Sequence, residues 1–146
     1  MNLLESSGRK ITDKEQRTFT NLRANGLLNR KVAIITGASR GIGAASARIF
    51  AASGAKVVLA ARDAGAIATV AKDILSTGGQ AVAVPTDVGD PRSVERLVQQ
   101  TLDVYGRLDV AFNNAGDGHM PTSLADIKVE DFERAICVNL MGCFFH

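Results

Sequence analysis

Residues 32–62 read VAIITGASRGIGAASARIFAASGAKVVLAAR, and their periodicity decides the fold. Val32-Ala33-Ile34-Ile35 is a short β-branched run closed by glycine, Ile42 to Ser53 has helical composition and stops at Gly54, and Lys56 to Ala61 is a second apolar run. A strand, a tight turn, a helix and another strand pair their strands in parallel, because the helix carries the chain back to its starting edge. The alternation continues downstream. Ala64 to Ser76 predicts a second helix, with Asp63 as its N-cap and Gly78-Gly79 beyond its end. Ala81 to Val84 predicts a third strand, and Pro91 to Tyr105 a third helix, where Asp90 precedes a proline suited to the first helical position. Leu108 to Phe112 predicts the fourth strand and Val129 to Phe145 the fourth helix. The expected class is α/β, a doubly wound parallel sheet of four βα units with both faces covered.

Composition agrees with one globular unit. The 146 residues are 46% hydrophobic and 22% charged, enough to bury a core. Residues 1–31 carry seven Lys/Arg against three Asp/Glu, whereas residues 32–146 carry ten against twelve. The body is therefore slightly acidic, which argues against a nucleic-acid surface. No apolar run is long enough for a membrane span, and the start lacks the apolar stretch of a secretory signal, so a cytoplasmic location is expected. Residues 1–30 have scattered charge, no sustained period and a turn signal at Asn25-Gly26, as a flexible basic leader would. Glu5, Asp13 and Glu15 count against an organelle transit peptide. Cys137 and Cys143, six apart in an apolar segment, suit neither a metal pair nor a short disulfide and are expected to be small buried hydrophobes.

Ligands of such sheets bind at the carboxyl ends of the strands, so the segments after each strand carry the chemistry. After the first comes Thr36-Gly37-Ala38-Ser39-Arg40-Gly41-Ile42-Gly43, a turn in which glycines let the backbone approach a pyrophosphate at the start of a helix. After the second comes Arg62, nineteen residues past Gly43, where dinucleotide sites keep either an acid for a ribose hydroxyl or a cation for a 2′-phosphate. Ala60 and Ala61 can hold no hydroxyl, Asp63 is accounted for as a cap, and Arg40 offers a second cation. After the third strand, Asp87 can accept hydrogens from an adenine, or simply cap the next helix. After the fourth, Asn113-Asn114-Ala115-Gly116 sets amides at the mouth and small residues behind them.

Together these segments resemble the short-chain dehydrogenase/reductase family, from about Lys31 to the last residue. TGASRGIG matches the family's TGxxxGxG turn and NNAG its second signature, with Asp87-Val88 and Val138-Asn139 at corresponding places. The resemblance implies a Rossmann-type domain in which Gly37, Ser39, Arg40, Gly41, Ile42 and Gly43 line the phosphates. It also implies Asp87 and Val88 at the adenine, Asn113, Ala115 and Gly116 at the ribose and nicotinamide, and Asn139 as an active-site residue. Arg40 with Arg62 resembles the branch that prefers NADP(H) to NAD(H). The implied activity is hydride transfer to or from a carbonyl or alcohol, usually in a homo-oligomer. The family's catalytic serine and Tyr-x-x-x-Lys pair have no counterpart here: the one tyrosine, Tyr105, is followed four residues later by Asp109. The stretch therefore reads as the cofactor-binding half of an enzyme, inactive alone. A nucleotide-holding half-domain without chemistry is the alternative, and a methyl donor on a similar fold a weaker one. His119, just after NNAG, is a candidate for facing substrate.

Overall fold

The structure, a computed structural model, describes residues 26–118 and 123–143. Four strands, β1 (Val32–Thr36), β2 (Lys56–Ala61), β3 (Gln80–Pro85) and β4 (Val110–Phe112), form one parallel sheet in the order β3-β2-β1-β4. The helices are α1 (Gly41–Ala52), α2 (Ala64–Ser76), α3 (Pro91–Tyr105) and α4 (Val129–Asn139), with single 3-10 turns at Leu124–Asp126 and Met141–Cys143. The chain steps outward from β1 to β3, then returns to the far side of β1 as β4. That reversal opens a crevice at the carboxyl ends of β1 and β4.

All five residues of β1 are buried, with no polar alternation, because both sheet faces are covered. Successive side chains still point to opposite sides. Ile35, Val57 and Leu59 join Ala47 of α1 and Ile67 and Ile74 of α2 in one layer, while Ile34, Val58 and Ala60 join Leu97 of α3 in the other. A fully buried isoleucine contributes about 1.5–3 kcal/mol, so two adjacent residues of β1 anchor both layers. In α1 the buried residues are small, Gly43, Ala44 and Ala47, which lets the helix lie close to the sheet. Asp63 and Asp90 cap α2 and α3, accepting from the N–H groups of Ala66 and Arg92, as the sequence implied.

Four expectations change. The fourth helix ends at Asn139, not Phe145: the Asn139 amide turns to the backbone of Asp117, and Gly142, a poor helix former, packs against Val88. Residues 144–146 lie outside the described residues. Cys137 is half-buried, its thiol meeting the Gly89 carbonyl, and Cys143 is exposed, so neither is the buried hydrophobe expected. Residues 26–30 form a turn in which the Leu28 N–H donates to the Ser53 carbonyl at 3.0 Å, so they are part of the body rather than of a free arm. The fourth strand begins at Val110 rather than Leu108, because the N–H of Val32 goes to the Asp109 carboxylate at 2.8 Å instead of a strand carbonyl.

Asp109 thereby fastens the two strands: its own N–H donates to the Val32 carbonyl, and its carboxylate also pairs with Arg107 and Lys31. The Arg107 hydrogen bond, followed by the Val32 N–H, holds its carboxyl below the ordinary carboxylate pKa. A carboxyl with a lowered folded pKa adds stability above its unfolded pKa and loses it as pH falls through the folded one. Asp109→Ala is therefore expected to lower Tm at pH 7, with the gap to the unaltered protein closing as pH falls below about 4. A gap independent of pH would assign the effect to packing alone.

Candidate functional site

At the carboxyl ends of β1, β2 and β4 lies a cleft of about 440 Å³. Its floor is set by the glycine turn after β1. Gly41 has φ +55° with no neighbouring atom within reach of a Cβ, so its constraint is conformational, whereas Gly43 is buried against Gly37 and Asn114 and its constraint is space. The Ala38 N–H reaches across to the Ala60 carbonyl at 3.2 Å, tying the turn to β2.

Thr36 joins the ends of β1 and β4. Its hydroxyl accepts the N–H groups of Asn114 and Ala115, both at 3.0 Å, and donates to the Phe112 carbonyl, while the Asn114 amide donates to the Thr36 carbonyl at 3.0 Å. The two signature segments of the sequence are thus one hydrogen-bonded unit.

Gly37, Ser39, Arg40, Arg62, Asp87, Val88, Ala115 and Gly116 all line the cleft, as do Ala60, Ala61 and Asp63. Gly41, Ile42, Gly43, Asn113 and Asn139 are absent from its wall: Gly43 sits beneath the turn, Ile42 faces outward, and Asn113 is exposed. Asn139 is the last residue of α4 and exposed, not within an apolar helix interior; it accepts the Asp117 N–H at 2.9 Å and donates to the Asp117 carbonyl at 2.7 Å. His119 lies outside the described residues. Tyr105 is elsewhere, packed on the Ile34 and Val58 layer with the Lys56 ammonium 5.4 Å from its ring centre, and burial raises its pKa.

The helix termini around the cleft are not alike. The N-cap of α1 is Arg40, which makes no side-chain cap, and no acid lies in the first turn. In contrast, α2 and α3 have aspartate caps, and α4 has Glu130 and Asp131 in its first turn. The first N–H groups of α1 therefore lack a protein anion, next to Arg40 and Arg62, neither of which has an ion-pair partner among the described residues. A positive helix end flanked by two free cations favours a negatively charged ligand.

Sequence reasoning missed Arg134 and Asp117. The Arg134 guanidinium bonds the Asp117 carboxylate at 2.9 Å and lies 3.5 Å from that of Asp87; the Asp117 bond, then the charge of Asp87, raises its pKa. The signal was helical spacing, since Arg134 is one turn before Val138 and both line the cleft.

A parallel, doubly wound sheet with a glycine turn opening onto an anion-favouring helix terminus defines a nucleotide-binding α/β domain. The family profile of short chain dehydrogenases matches residues 31–146. The 3-oxoacyl-[acyl-carrier-protein] reductase of Synechocystis sp. is 43% identical over 118 residues, covering 80% of this chain and 47% of that protein. The crystal structure of a metagenomic short-chain oxidoreductase in complex with NADP matches with TM-score 0.77 and 38% identity, covering 81% of this chain and 53% of that one. A 3-ketoacyl-(acyl-carrier-protein) reductase from Brucella melitensis, complexed with NADH, matches with TM-score 0.74 and 39% identity, covering 81% and 48%. The chain belongs to the short-chain dehydrogenase family, an oxidoreductase family. It spans about half the length of the curated relatives it matches. No described helix is long and apolar enough to cross a membrane.

Proposed function

We propose that residues 31–146 are the cofactor-binding portion of an NADP(H)-dependent oxidoreductase that moves a hydride between nicotinamide and a carbonyl or alcohol. The observation that carries this reading is the uncapped start of α1 beside Arg40 and Arg62. These residues fit a dinucleotide: the turn from Gly37 through Ser39 and Arg40 to Gly41, Ile42 and Gly43 would hold the pyrophosphate, with Asp87 and Val88 at the adenine. Asn113, Ala115 and Gly116 would hold the ribose and nicotinamide. When bound, the cofactor supplies or accepts the hydride.

Cofactor choice rests on this chain's own charges, since the matched structures contain NADP in one case and NADH in another. The end of β2 presents Ala60 and Ala61 rather than an acid, and the Asp63 carboxylate is committed to the Ala66 N–H. Arg62 and Arg40 are then left for a 2′-phosphate. Tyr105 lines no part of the cleft and is given no part in the proton transfer in this reading. The same reading makes the protein a cytoplasmic homo-oligomer acting on a small molecule, with exposed Phe132, Ile136, Leu140 and Met141 as the surface for assembly.

The test is NADPH oxidation by the full gene product against a panel of carbonyl compounds; no oxidation with any of them would overturn the proposal. Asn139 is given a part in the proton relay in addition to its hold on Asp117. Asn139→Ala is expected to lower kcat by about tenfold or more while leaving cofactor affinity nearly unchanged. Reduced thermal stability with kcat intact would assign Asn139 to the loop alone.

A further inference from the structure

The cleft wall carries three arginines, Arg40, Arg62 and Arg134, and three aspartates, Asp63, Asp87 and Asp117. The charges are unevenly spread. Arg40 and Arg62 lie at the turn and the end of β2, whereas Asp87 and Asp117 stand after β3 and β4 and share one cation, Arg134, which reaches them from α4. Without Arg134 the wall would hold two positive charges against three negative. A polyphosphate entering such a cleft would meet two uncompensated carboxylates.

We infer that Arg134 is a positioning residue for cofactor binding: by neutralising Asp87 and Asp117 together it makes this half of the cleft admit an anionic dinucleotide. The inference rests on the nucleotide-binding reading above. Both residues have other anchors, the Asp87 carboxylate directly and Asp117 through its backbone, so their places in the wall do not depend on Arg134 alone. Asp87 Oδ1 accepts the Gly89 N–H at 2.9 Å, and the Asp117 backbone is held at both its N–H and its carbonyl by Asn139. Removing the guanidinium therefore leaves two unbalanced negative charges on the same stretch of the wall, that of Asp87 held by the Gly89 N–H. Arg134 is partly exposed, which limits the effect by solvent screening.

The experiment measures NADPH affinity of the full gene product, unaltered and with Arg134→Met, Arg134→Lys, or Arg134→Met combined with Asp117→Asn, at low and at high salt. Arg134→Met is expected to weaken binding by roughly fivefold at low salt, with the difference shrinking at 1 M salt. Arg134→Lys should retain most of the affinity, and Asp117→Asn should restore much of it in the Arg134→Met background, because it removes one of the two unbalanced negative charges. Thermal melts of each variant show whether it is folded, and the lysine variant carries the comparison if the methionine one is not. A loss that neither salt nor Asp117→Asn alters means that Arg134 acts only by holding structure and overturns the inference. Equal affinities of the unaltered and Arg134→Met proteins overturn it as well. Failure of the unaltered protein to bind NADPH overturns instead the nucleotide reading on which it rests.

Discussion

Gly43→Ala is expected to lower stability by roughly 3 kcal/mol and to abolish measurable cofactor binding. A Cβ at this position would run into the Gly37 carbonyl and stand 2.7 Å from the Asn114 amide nitrogen, neither of which can yield freely. The carbonyl belongs to the turn itself, and the amide is already bonded to the Thr36 carbonyl at 3.0 Å. Relief requires α1 to move off the end of β1, which breaks the unit that joins the two signature segments. For a domain of this size the cost corresponds to a fall in Tm of roughly 10 °C, readable by thermal melt. Gly41→Ala makes the control: it has open space but a positive φ, so strain of about 1–2 kcal/mol is expected without the clash. An unchanged Tm and unchanged binding for Gly43→Ala would contradict the packing described for this turn.

The fold was legible because its signals are local. Lys56–Ala61, Ala64–Ser76 and Pro91–Tyr105 have the boundaries that composition and caps imply, since Asp63, Asp90 and the glycines after them act within a few residues of the ends they mark. The segments lining the cleft were legible for a related reason, as strand ends in a parallel sheet all point to one crevice.

What the sequence concealed depends on contacts between distant segments. Asn139 looks helix-internal by pattern, yet its amide bonds to Asp117, 22 residues away, and the helix stops there. The start of β4 is decided by a carboxylate bond across 77 residues, from Val32 to Asp109, which no local period reports. Arg134 was concealed differently, by being one charge among several in the first half of α4, after Glu130, Asp131 and Glu133. Only the position of Asp87 and Asp117 opposite it gives that charge a function.

Binding of both cofactors to the full gene product, before and after Arg62→Ala, tests the central claim most directly. A charge-assisted phosphate contact is worth about 1.5–3 kcal/mol, so NADPH should bind about tenfold or more tightly than NADH. Arg62→Ala removes a cation that has no protein partner among the described residues, so no internal ion pair is lost with it. The substitution should therefore weaken NADPH binding by about tenfold while barely changing that of NADH, which lacks the 2′-phosphate. Equal affinities for the two cofactors in the unaltered protein, or an Arg62→Ala variant that keeps its preference for NADPH, would contradict the account.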